Sequence, residues 1–194
     1  MMNNYIEFNR EITRRSLENR AGKKLSKKLI KRLDRILILL EKFARKNEPL
    51  LDIGFKSGLL FQILTDNGFK NLYGIDISEE AVNKSRNSGF SCEVQDVQEF
   101  ELNRKFGTIV ISHCLEHCPE PSKVIENIYK HLKPNGILLV EVPEEIGKNI
   151  PTKNGHYYCF SSLDELISFF PDKWELLYNV KYGKNLTCVF RKKE

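Results

Sequence analysis

Three aspartates, one lysine and three histidines hold most of the chemistry that this 194-residue sequence can offer. Asp52 opens the run Asp52-Ile-Gly54-Phe55-Lys56-Ser-Gly58. Asp76 follows 24 residues later in YGIDIS, and Asp96 ends CEVQD. A carboxylate beside a glycine turn attracts a cation and repels a phosphate, while one further along can accept hydrogen bonds from a ribose diol. His113 and His117 flank Leu115-Glu116, and His156 lies in NGHYYCFSSLDEL. Histidine titrates near neutral pH, so these three are candidates for taking a proton from a bound molecule. The spacing His-x-x-Glu-His is that of a zinc-binding helix. Pro119, however, disfavours helical geometry at Cys118 and limits the segment to a turn, so no metal is expected. His131 reads as a surface residue.

These residues need elements to position them. From Pro49 short apolar runs alternate with helical stretches: PLLDIG, NLYGIDI, residues 91–95, FGTIVIS and GILLVEV read as five strands. Helices are expected over GLLFQILTDNG, from Ser78 as N-cap with Glu79 and Glu80 in its first turn, over 121–132 up to the breaker LKPNG, and near SSLDELISFF. Such alternation implies a parallel sheet covered on both faces. WELLYNVKY and NLTCVFRKK are joined only by a short Gly-Lys turn, which permits antiparallel pairing alone. Ahead of the sheet, Leu25, Leu29, Leu33, Ile36, Leu37, Leu40 and Phe43 recur at helical spacing with lysines and arginines between them, giving an amphipathic helix over 24–46. A shorter helix is expected over 5–18, with a break at Gly22.

In an α/β sheet of this kind ligands bind where the first strand turns into its helix. A nicotinamide dinucleotide would need G-x-G-x-x-G there, but Lys56 stands at the second glycine position. Asp52 would also repel a pyrophosphate. It suits a ligand with positive charge, such as the ammonium and sulfonium of S-adenosylmethionine. Three Asp residues at the ends of three successive strands share one edge of the sheet, where Asp76 would meet a ribose and Asp96 an adenine amino group.

Charge is unevenly spread. Residues 1–47 hold fourteen Lys or Arg against five Asp or Glu, and the rest holds seventeen against twenty-one, for a net +5 overall. That argues against a nucleic-acid face over the whole chain. No apolar run approaches the roughly 20 residues of a bilayer span, no secretory signal is evident, and a cytoplasmic protein is expected. The five cysteines contain no CxxC and read as free, mostly buried thiols.

Taken in order, LLDIGFKSG, YGIDIS, EVQDV, FGTIVISHCLEHCPEP and LKPNGILLVEVP resemble the motifs of class I S-adenosylmethionine-dependent methyltransferases, in the broad type 11/type 23 group of small-molecule and glycan-modifying enzymes. The resemblance covers about residues 49–194, terminal hairpin included. It implies a Rossmann-like, doubly wound, seven-stranded, mostly parallel sheet with a C-terminal antiparallel hairpin and N-terminal helices. It divides the chain into a basic helical segment (1–47) and a methyltransferase domain (48–194). It implies S-adenosyl-L-methionine as cofactor, held by Asp52, Gly54, Phe55, Lys56, Gly58, Asp76, Ile77, Asp96, Val97 and His113. His113, His117 and His156 fall near the transferred methyl, with Tyr157 and Tyr158 forming an aromatic wall around the acceptor and Tyr5 reaching the cofactor's carboxylate. The acceptor implied is an oxygen or nitrogen of a small-molecule, lipid-linked or glycan compound. Lys56 departs from the family, which usually has glycine there. It swings outward, pairs with the cofactor's carboxylate, or obstructs the pocket and leaves a non-catalytic binding or regulatory protein. The basic helix keeps an RNA methyltransferase as a further, less favoured alternative.

Overall fold

The computed structural model describes residues 26–147 and 150–194. Tyr5, the helix expected over 5–18, the break at Gly22 and the start of the amphipathic helix at 24 lie outside them. In chain order the elements are α1 (Lys27–Phe43), β1 (Leu50–Ile53), α2 (Leu59–Asp66), β2 (Leu72–Asp76), α3 (Glu79–Asn87) and β3 (Cys92–Val94). There follow β4 (Phe106–Ser112), a single 3₁₀ turn (Leu115–His117), α4 (Pro121–His131), β5 (Leu132–Pro143), α5 (Leu163–Ser168), β6 (Trp174–Tyr182) and β7 (Asn185–Lys192).

The seven strands form one sheet in the order β3-β2-β1-β4-β5-β7-β6. The first five strands run parallel, and β7 pairs antiparallel with both β5 and β6. Side chains alternate between the two faces, as strand geometry requires. Leu50, Val110, Leu139 and Val189 face α1 and α2, packing on Leu33, Ile36, Leu40, Leu60 and Leu64. Leu51, Ile109, Ile111 and Val140 face the other way, onto Leu115 and onto Val124, Ile125 and Ile128 of α4. The expected doubly wound sheet with its terminal hairpin is the fold observed.

Local signals explain most boundaries. Ser26 caps α1 by accepting the Leu29 N–H at 3.2 Å, and Ser78 does the same for α3 through Ala81. α1 buries Leu33, Ile36, Leu39 and Leu40 and leaves its lysines outward. It is therefore one wall of the same core that the sheet builds, each buried leucine contributing about 1.5–3 kcal/mol. It ends at Phe43 rather than 46.

Two expectations need correction. LKPNG does not merely end a helix: α4 stops at His131, and Leu132 already pairs with Phe106 in β5. The register then slips between Phe106 and Thr108, so residues 133–136 form a bulge, with Asn135 at φ 59°. A Pro-Asn-Gly signal marks a break in either setting. His131 is half-buried rather than on the surface. Its Nε2 accepts the Leu102 N–H at 3.2 Å, its Nδ1 meets the Asn127 carbonyl, and its ring lies 4.3 Å from Phe100. The five cysteines are free thiols, three of them buried.

Candidate active site

The carboxyl ends of β1 and β4, together with α1, enclose a cavity of about 420 Å³, within the range of small-molecule sites. One wall is the turn after β1: Asp52, Gly54, Phe55, Lys56 and Ser57. A second is Leu29, Arg32, Leu33 and Ile36 of α1. The third holds Ser112, His113, Glu116 and His117, and Lys153, Asn154 and His156 close over it. The cavity thus gathers Asp52, Gly54, Phe55, Lys56 and all three catalytic candidates. Gly58, Asp76, Ile77, Asp96 and Val97 lie outside its lining. Gly58 caps α2 beside Ser85, and Val97 packs into the core.

The β1 turn is shaped by main-chain geometry. Gly54 has φ 71°, and a Cβ there would stand 2.8 Å from Cys114 Sγ, so only glycine fits. Lys56 adopts φ 53°, a left-handed conformation costly for a side chain with a Cβ. It is held there by its N–H, which donates to Asp76 Oδ2 at 2.9 Å, while Ser78 N–H donates to Oδ1. The Lys56 side chain faces the cavity, and its charge acts on His117.

The acids differ in what surrounds them. Burial pushes Asp52 up to about 8; the neighbouring Asp76 adds to the rise and Arg32 opposes it. Asp76 is likewise raised by burial against the pull of its backbone donors. Asp96 is raised by burial. Its Oδ1 accepts the Gln98 N–H, and its buried Oδ2 has no hydrogen-bond partner among the described residues. Such a partnerless acceptor is a place for a ligand donor.

At the opposite end, the Pro119 prediction holds: Cys118 is extended and the segment is a single 3₁₀ turn. His113, at φ 52°, ends β4 with its N–H on the Glu141 carbonyl. Its ring lies 3.5 Å from Glu116 Oε1 and 3.6 Å from Glu141 Oε1. Burial disfavours ionised Glu116, but the His113 hydrogen bond and the positive charge of the neighbouring rings outweigh it and hold the acid to about 2. Burial pushes His117 down to about 4, so that ring is neutral at physiological pH. His117 Nδ1 meets the Gly155 carbonyl at 3.0 Å, and His156 Nδ1 meets Glu145. Glu116 O accepts N–H bonds from both Tyr157 and Tyr158, which ties the turn to the overlying loop. That tie sends His156 inward but not the tyrosines. Tyr158 packs on Phe160 and Phe169 and donates to Glu165, and neither tyrosine lines the cavity.

Sequence reasoning missed Arg32, Glu141 and Glu145. Glu141 is 1% exposed and accepts from Ser112 and Thr187, with Arg32 Nε 3.8 Å away. A lone acid inside the apolar run ILLVEV was the available signal. Arg32 looked like one more solvated base on α1, because periodicity alone does not show which base borders the pocket.

A family described as "Methyltransferase domain", type 23, matches residues 21–177. The chain belongs to this family, in the class I fold whose methyl donor is S-adenosylmethionine. It is 28% identical over 127 residues to a ubiquinone biosynthesis O-methyltransferase of Coxiella burnetii, covering 62% of this chain and 53% of that protein. It is 28% identical over 118 residues to phosphoethanolamine N-methyltransferase 2 of Caenorhabditis elegans, covering 55% of this chain and 27% of that one. The chain thus spans about half the length of the ubiquinone relatives it matches. In fold it is similar to the N-methyltransferase NodS of Bradyrhizobium japonicum in complex with S-adenosyl-L-homocysteine, with TM-score 0.70, 20% identity, 94% of this chain and 99% of that one. Among the described residues no helix is long and apolar enough to cross a membrane.

Proposed function

We propose that this protein transfers the methyl group of S-adenosylmethionine to an oxygen or nitrogen of a small-molecule acceptor. The observation that carries the reading is the single cavity joining the acidic glycine turn after β1 to the His113–Glu116–His117–His156 cluster. The residues suit that cofactor. Asp52 is a buried acid whose ionised form needs a cation, and Asp96 Oδ2 is a buried acceptor lacking a donor. On this reading Asp52 and the Gly54–Ser57 main chain hold the amino-acid end, Asp76 and Ile77 the ribose, and Asp96 with Val97 the adenine. Bound there, the cofactor supplies a methyl carbon on positively charged sulfur.

The chain's own part is alignment and proton handling. Holding an acceptor in line with the methyl is worth up to about 7–11 kcal/mol. The histidine cluster faces that line, and the neutral His117 ring accepts the hydrogen of the incoming O–H or N–H. α1 closes the far side of the cavity, so this helix serves the same unit as the sheet. The curated relatives act through oxygen in one case and nitrogen in the other, which is why both atoms stay in the proposal.

Calorimetric titration with S-adenosylmethionine, followed by transfer of a labelled methyl to a panel of small phenols and amines, tests this. Expected are binding at a 1:1 ratio and label in at least one acceptor class. Folded protein that binds no donor up to millimolar concentration overturns the reading.

A further inference from the structure

At the acceptor end of the cavity three hydrogen-bond acceptors converge. A carbonyl can only accept, so the proton of His117 sits on Nδ1, facing Gly155, and its Nε2 carries a lone pair. His156 Nδ1 faces the Glu145 carboxylate, so Nε2 is the nitrogen left for another partner. Glu116 is 1% exposed, and its Oε2 has no hydrogen-bond partner among the described residues. His113 serves the other oxygen, at 3.5 Å. One ligand atom from each of Glu116, His117 and His156 lies within 4.8 Å of the other two. A buried carboxylate and two imidazoles gathered this closely favour a cation between them, since buried charges are paired or bound to metals.

The distances suit an ion. A point equidistant from three atoms 4.8 Å apart lies about 2.8 Å from each, and metal–nitrogen or metal–oxygen bonds are about 2.0–2.2 Å. Each side chain would close by about 0.7 Å or less, within the reach of small side-chain torsions. The support around the three is that of a metal centre. Both imidazoles give their remaining nitrogen to an oxygen acceptor that fixes tautomer and ring orientation. The turn carrying Glu116 and His117 is tied to the loop carrying His156 by two N–H bonds to Glu116 O, at 2.8 and 3.0 Å.

We propose that Glu116, His117 and His156 bind one divalent first-row transition-metal ion of the zinc kind. Two imidazoles and a carboxylate favour such an ion over magnesium or calcium, which take oxygen ligands. Three protein ligands would leave a position open toward the cavity, where an oxygen of the acceptor would sit on the ion and give up its proton to solvent water more readily. The inference rests on the methyltransferase reading and refines its acceptor end: the ion, rather than the imidazoles themselves, meets the acceptor. His113-x-x-Glu116-His117 suggested a zinc helix in the sequence, but the turn does not present its two histidines as a helix would. The third ligand comes instead from a loop 39 residues beyond His117.

The test is a titration of untagged, chelator-treated protein with cobalt chloride and then zinc chloride, read by visible absorption and calorimetry. S-adenosylmethionine binding is measured on the same sample. Expected are one equivalent of cobalt at micromolar affinity or tighter, a d–d band, and displacement by zinc. His156→Ala and Glu116→Gln should each weaken binding by more than about 100-fold, and Glu145→Gln by about 10–100-fold, the usual effect of an outer partner. His131→Ala, remote from the cavity, should leave it unchanged. Wild-type protein that binds no cobalt below millimolar concentration overturns the proposal, as does binding indifferent to Glu116→Gln and His156→Ala. Donor binding that persists without cobalt binding defeats the metal site alone; loss of donor binding strikes the methyltransferase reading.

Discussion

Replacing Asp52 with asparagine keeps the shape of the side chain and removes its charge. In the folded chain without a bound cation, burial pushes this acid from 3.8 to about 8, with Asp76 adding to the rise. The folded state therefore keeps a proton that the unfolded state has released. The stability from that proton is complete below pH 3.8 and is lost as pH rises to about 8. Within that window each pH unit is worth about 1.4 kcal/mol. Between pH 5 and pH 8 the loss through this one group reaches up to about 4 kcal/mol, a large share of a domain's usual 5–15 kcal/mol. Urea unfolding followed by fluorescence of Trp174, the chain's single tryptophan and 5% exposed, measures it at pH 5, 6.5 and 8. Asp52→Asn should flatten this part of the pH slope and make the unliganded protein more stable at pH 8, while weakening binding of S-adenosylmethionine. The cofactor's positive charge should in turn ionise Asp52. At pH 7 binding then releases close to one proton, visible as a dependence of calorimetric enthalpy on the buffer's ionisation enthalpy. A pH slope that Asp52→Asn leaves unchanged refutes the reasoning.

Two further changes probe the pocket and its wall. Lys56→Gly removes left-handed strain of about 1–2 kcal/mol, partly offset by about 0.4–1 kcal/mol from the freer unfolded chain. Its unfolding midpoint should match or exceed that of the wild type, and the His117 titration followed by NMR should move upward from about 4 as the facing cation goes. Leu40→Ala empties a site 1% exposed between α1 and the sheet, at a cost of about 2–5 kcal/mol. Denaturation should remain a single transition, because α1 and the strands share one core; a separate early loss of helix would contradict that.

The βα alternation and the closing hairpin were legible because each rests on local signals: apolar runs of strand length, the Ser78 cap, and a Gly-Lys turn too short for anything but antiparallel pairing. The glycine turn with Asp52 was legible for the same reason. What escaped the sequence depends on contacts across the fold. Glu141 meets His113 and Thr187 only once β5 lies between β4 and β7. Glu145 orients His156 across a loop, and Tyr158 turns toward Phe169 because its own N–H is taken by Glu116. The tie between residues 116 and 157 has no periodicity to betray it.

The placement of β7 also governs the order in which the molecule can be completed. β7, which follows the other six strands in the chain, sits inside the sheet, between β5 and β6, and its Val189 contributes to the core beneath α1. During translation β5 therefore waits with an open edge, and α1 with part of its apolar face uncovered, until residues near 190 emerge. Nascent chains stalled short of β7 should be sticky, chaperone-dependent species, and closure of the sheet is an event dominated by long-range pairing.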